Sequence, residues 1–159
     1  EEVARAGFDG WDFSMFRMAD ALRDGVDRPL DGQSHALDIP PGEALEITWE
    51  RPVFVTALRL IFDSELNRDS LPETQMGLNR PMLCNRPLGW RASRVPAALT
   101  RAFTLEARTE KGWELLQAEE NNYQRLYIAP VGRRTDGLRL TPRATWGAKI
   151  ARLFAAYVE

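Results

Sequence analysis

The amino-acid sequence predicts an all-β protein folded as an antiparallel sandwich, and three observations carry the prediction. Apolar and polar residues alternate over most of the chain, which is the period of half-buried strands. Clusters of Gly, Pro, Asn and Asp fall between the alternating runs and mark turns. The runs are short and recur at the spacing expected of a sandwich.

Taken in order, residues 8–22 come first, with Phe8, Trp11, Met15, Met18 and Leu22 at three- to four-residue spacing. That pattern suits either a short amphipathic helix or an irregular lead-in against the sandwich, and residues 1–18 read as a lead-in to a domain spanning 19–159. In "ALEITWE", Leu45, Ile47 and Trp49 point one way while Glu46, Thr48 and Glu50 point the other. "VTALRLIF" places Leu58, Leu60 and Phe62 on one face, with Arg59 opposite. Residues 64–100 then form a long irregular insertion with prolines at 72, 81, 87 and 96. A loop of that length in a compact domain tends to be functional or to cover something. "AFTLEAR" turns Phe103, Leu105 and Ala107 inward, and "RLYIAPV", "GLRLTP" and "ARLFAAYV" supply three more strands. The punctuation is Pro40-Pro41-Gly42, Lys111-Gly112, Asn121-Asn122, Thr135-Asp136-Gly137 and Trp146-Gly147. Trp49, Phe62, Phe103, Trp113 and Phe154 read as core aromatics.

Composition narrows the function classes. At 159 residues the chain suits one domain with a proper core, with 44% apolar and 28% charged residues. A net charge of −2 argues against a nucleic acid or an anionic membrane as partner. No apolar run approaches the roughly 20 residues that span a bilayer. The chain opens on Glu-Glu without an initiator Met, as a fragment or processed product would, and offers no targeting segment from which to read a compartment. The single cysteine, Cys84, leaves no internal disulfide and reads as an inert thiol in a Pro-rich loop. With His35 it is too little for a His/Cys metal site. No nucleophile–base set and no recognisable pair of catalytic carboxylates stands out, so an independent enzyme is the weakest reading.

The stretch "NNYQRL" at 121–126 combines turn chemistry with binding chemistry. Asn121 and Asn122 suit a turn because their amides bond local backbone and tolerate left-handed conformations. Tyr123 and Arg125 are not required by any turn and are the better ligand candidates, although Arg125 could instead pair with a carboxylate such as Glu119.

The ordered set of motifs resembles the discoidin family, also called the coagulation factor V/VIII C-type domain, whose members are galactose-binding-like jelly rolls. "DGVDRP" at 24–29 resembles the family's early Asp-Gly loop, and "LEITWERPVFVTALRLIF" at 45–62 resembles the strand pair that follows. "FTLEARTEKGWELLQ" (103–117), "NNYQ" (121–124), "GLRLTP" (137–142) and "ATWGAKIARLFAAYV" (144–158) match the second half in the family's order. A narrower resemblance, carried by "FDSELNRDSLPETQM", "NRPL", "NNYQRL" and "TWGA", is to the C-terminal domain of some bacterial FAD-dependent oxidoreductases. That would imply an upstream flavin-binding domain, since no GxGxxG occurs in this chain.

The resemblance implies a non-catalytic module that binds a polar ligand, most simply a carbohydrate, through loops at one end of the sandwich. Trp146 falls where the family often places its stacking aromatic, although a tryptophan there equally suits packing over the sandwich end. Tyr123, Arg125 and Asn122 would join it. His35, in an early loop, and Asn67 and Arg68, opening the insertion, are further candidates for the same rim. Asp24 and Asp27 resemble the loop in which relatives hold a structural Ca²⁺. Ala155 and Ala156, however, stand where those relatives carry a second carboxylate.

Overall fold

A computed structural model describes residues 22, 24–30, 32–65 and 95–159. The lead-in, the body of the insertion, Asn67, Arg68 and Cys84 lie outside the described residues. The described chain forms β1 (Leu37–Ile39), β2 (Leu45–Phe62), β3 (Thr100–Thr109), β4 (Gly112–Glu119), β5 (Leu126–Thr145) and β6 (Ala151–Val158). The strands are antiparallel neighbours in the order β1-β6-β2-β5-β3-β4.

Two strands are much longer than the usual five or six residues: β2 has 18 and β5 has 20. Each runs through both layers. Pairing between them stops at Thr48↔Gly137 and resumes at Val53↔Thr135, so Trp49–Pro52 on one strand face only Asp136 on the other. Extra residues on one side of a ladder bend it sharply. The Trp49 indole fills this corner and donates to the Thr135 carbonyl at 2.9 Å. One layer therefore holds β1, β6, the second half of β2 and the first half of β5. The other holds the first half of β2, the second half of β5, β3 and β4.

The layers meet through the apolar rows that the alternation marks. Leu58, Leu60 and Phe62 face Phe103, Leu105, Leu138 and Leu140, all at most 1% exposed, and Leu22 joins them. Tyr127, near the start of β5, meets Phe103 edge-on at 4.9 Å, while Phe103 pairs with Pro142 near the end of β5. The two ends of one strand thus face each other across the core. The sandwich expected from the sequence is present.

Several expectations need correction. "ALEITWE" and "VTALRLIF" are one bent strand, as are "RLYIAPV" and "GLRLTP", and Thr135-Asp136-Gly137 is a corner rather than a break. Residues 112–119 form an edge strand that no sequence run marked. Trp113 is not core: it pairs with Arg108 on the outer face, beneath the Arg139 guanidinium at 4.1 Å. Phe154 is buried but lies apart from the main apolar cluster.

The bends return the ends of β2, β4 and β5 and the starts of β3, β5 and β6 to one pole. Backbone bonds join their connections there. Phe62 N–H donates to Arg125 O (2.8 Å), Asn122 N–H to Arg101 O (2.8 Å), Trp146 N–H to Leu99 O (3.0 Å) and Ala148 N–H to Ala97 O (2.9 Å).

Candidate functional site

At this pole, the β4–β5 connection (120–125) meets the β5–β6 connection (146–150). Asn122 holds the first. It is 3% exposed, and its Nδ2 donates to the carbonyls of Thr100 and Gln124, both at 2.9 Å. Its Oδ1 accepts from Gln124 N–H at 2.8 Å. This closes the turn that Asn-Asn predicts, with the work done by the second asparagine. With its amide consumed, Asn122 offers no donor to a ligand, so its place is inside the turn and not on the rim.

The turn presents Tyr123 outward, 63% exposed. Its ring rests on Trp146 with centroids 4.7 Å apart and planes inclined by 35°. Trp146 is half-buried against the core and donates its indole N–H to Asn122 O at 2.7 Å. Gly147 lets the loop lie close to its neighbour, since a Cβ there would come within 3.2 Å of the Ala97 Cβ. The two aromatics thus make a shelf. Trp146 is its fixed base and Tyr123 its open face. Arg101, exposed at the start of β3, reaches over Trp146 with its guanidinium carbon 5.8 Å from the ring centroid. Asn121 and Gln124 stand exposed on the same turn. The arrangement offers an apolar ring face bordered by hydrogen-bonding groups.

Arg101 was not among the sequence candidates. Its one signal is position: it is an outward-phase arginine opening a strand next to loops. A cleft of about 330 Å³ opens on the other side of the 146–150 connection, lined by Asp63, Glu65, Ala98, Ala148, Lys149, Ile150 and Arg152.

The remaining candidates go elsewhere. Arg125, 24% exposed, does not pair with Glu119. Its guanidinium bonds the Asp27 carbonyl and approaches the Asp27 carboxylate at 3.4 Å, tying residues 24–30 to the sheet. Glu119 instead accepts from the N–H groups of Glu120 and Asn121 and from the Tyr127 hydroxyl. His35 has a left-handed backbone (φ 52), and its Nδ1 lies 2.7 Å from Asp24 Oδ2. Its recorded partner is Asp24, not a member of the aromatic shelf.

The expected calcium loop does not fit a cation. The bond to His35, and then that to Val26 N–H, hold the Asp24 carboxyl below its ordinary range. Asp27 already faces two guanidinium groups, those of Arg125 and Arg28. Tyr157 lies in the same neighbourhood, its hydroxyl pushed up by burial and then by the charges of Asp27 and Asp24. Ala155 and Ala156 are buried. Among the described residues, no group of three or more His, Cys, Asp or Glu side chains could hold a metal ion. Among the described residues, the Arg125 guanidinium already engages Asp27.

No protein-family model matches the chain, and no curated protein does. Solved structures do. The family 32 carbohydrate-binding module of Streptococcus pneumoniae EndoD superposes with a TM-score of 0.59 at 13% identity, over 88% of this chain and 83% of that one. The GH31 CBM32-2 module bound to GalNAc gives 0.60 at 11% identity, over 92% of each chain. The family 32 module of C. perfringens NanJ, in complex with galactose, gives 0.54 at 9% identity, over 91% and 93%. At these identities the likeness establishes architecture. The chain has the discoidin, or galactose-binding-like, jelly-roll fold.

Proposed function

We propose that the chain is a non-catalytic module that binds a carbohydrate at the Tyr123–Trp146 shelf. The observation that carries this reading is an aromatic ring left 63% exposed on a turn that Asn122 closes from inside. A pyranose has an apolar C–H face and a rim of hydroxyls. An aromatic plane covers the first and nearby amides and guanidinium groups bond the second. Tyr123 supplies the plane, Asn121 and Gln124 stand exposed on the same turn, and Arg101 opens the adjoining strand β3. Similar folds in the GalNAc-bound and galactose-bound modules support the choice of ligand class.

Calorimetric titration of the chain with neutral and acidic monosaccharides tests the proposal. Binding at millimolar or lower Kd, lost in Tyr123→Ala, is expected. Absence of binding to every sugar tried would refute it. No structural observation favours the second reading, an accessory domain of a flavin oxidoreductase.

A further inference from the structure

Most arginines of the described sandwich have a carboxylate partner. Arg28 and Arg125 have Asp27, Arg59 has Glu159, Arg108 has Asp136, Arg133 has Glu114, Arg139 has Glu46 and Glu106, and Arg152 has Asp38 and Asp63. Among the described residues, Arg51, Arg101, Arg134 and Arg143 make no such pair, and of these Arg101 reaches the shelf. Its charge stands in solvent beside the shelf, held only over the Trp146 ring. Arg143 makes no pair either and is likewise exposed. It sits on the adjoining strand β5, at the bulge where Ala102 and Phe103 pair with Ala144 and Pro142. One uncompensated guanidinium, that of Arg101, therefore borders the aromatic shelf, with Arg143 on the strand beside it, in a chain whose net charge is −2. Of the nearby carboxylates, Glu119 is taken up by two backbone N–H groups and the Tyr127 hydroxyl. Glu120 is the exposed opposing charge.

We infer that the sugar taken at the shelf is an acidic one, its carboxylate or sulfate read by Arg101 with Arg143 behind it. This deepens the proposed carbohydrate binding and depends on it. Arginine suits the role because its planar fork of donors matches the oxygens of a carboxylate or sulfate, and charge-assisted bonds exceed neutral ones in strength. An exposed guanidinium keeps its hydration until the ligand arrives, so the preference is moderate and sensitive to salt.

The test is calorimetric titration of the whole chain with galactose, galacturonic acid and galactose 6-sulfate, and with the matching glucose series, at low and high ionic strength. The acidic member of at least one series should bind about three- to tenfold more tightly than its neutral parent at low salt, with the gap closing at high salt. Tighter binding of the uronic acid alone would assign a carboxylate, and of the sulfate ester alone a sulfate. Arg101→Gln should remove the preference, so that the acidic and neutral members of a series bind alike, and Glu120→Gln should strengthen acidic binding. Equal binding of neutral and acidic sugars overturns the inference and leaves carbohydrate binding intact. Absence of binding to either kind overturns both.

Discussion

Replacing Asn122 with alanine separates building the shelf from touching the ligand. The substitution deletes three side-chain hydrogen bonds: two donated to the carbonyls of Thr100 and Gln124, and one accepted from Gln124 N–H. Thr100 is fully buried, so its carbonyl loses this donor where water cannot easily replace it. A buried group left without a partner costs about 1–3 kcal/mol. Gln124 is exposed and can turn to solvent, so its two bonds count for roughly 0.5–1 kcal/mol each. The sum is about 2–5 kcal/mol, or a fall in Tm of roughly 4–20 °C for a domain of this size. Denaturant titration followed by tryptophan fluorescence measures it. Because Trp146 donates to the Asn122 carbonyl, the shelf should loosen and sugar affinity fall as well. A loss under about 1 kcal/mol, with binding abolished, would refute the reasoning. Asn122 would then act on the ligand directly.

Further outcomes are expected. Tyr123→Ala should change stability by less than about 0.5 kcal/mol, as exposed substitutions do, while removing sugar binding; both are read on the same preparation. Phe103→Ala, at a fully buried ring touching Phe62 and Tyr127, should cost about 3–5 kcal/mol in denaturant unfolding. A chelator should leave Tm unchanged, because the carboxylates of Asp24 and Asp27 are already engaged. Arg125→Met should lower stability by about 1 kcal/mol. Asp136 is held below its ordinary range chiefly by the Arg108 hydrogen bond, so its stabilisation is present above a pH near 3.8 and is lost as pH falls through the lower folded value. Both side chains are about one-third exposed, so Asp136→Asn should cost at most about 1 kcal/mol at pH 7, a cost that shrinks as the pH falls through that lower value, measured by denaturant unfolding at each pH.

The core rows were legible because alternation is a local signal. Leu58, Leu60 and Phe62 could point one way only if the chain was extended, and burial of that face followed. The corners were not legible. Nothing at Thr135-Asp136-Gly137 distinguishes a turn that ends a strand from a bend that carries it into a second layer. That difference is set by Trp49 filling the corner from β2, a contact across 86 residues of sequence. Strand β4 was missed because an edge strand with one half-buried face need not alternate cleanly. Leu115 is exposed while its neighbour Leu116 packs on the core. Trp113 misled for a related reason. Its size suggests burial, but pairing opposite Arg108 puts it outside, where Arg139 covers it.

The same distinction separates the members of "NNYQR" and marks which of them the fold leaves free. Asn122 and Trp146 satisfy needs of the fold: buried carbonyls require a donor, and a half-buried indole requires an acceptor. Arg125 answers another, anchoring residues 24–30 through Asp27. Tyr123 and Arg101 answer none. The ring covers little beyond Trp146, and the guanidinium makes no ion pair. Tyr123, carried by a turn that Asn122 fixes, has a set geometry before any ligand arrives. Less ordering entropy is then lost on binding. Stability and affinity should therefore divide between neighbouring residues, with Asn122→Ala lowering both and Tyr123→Ala lowering affinity alone.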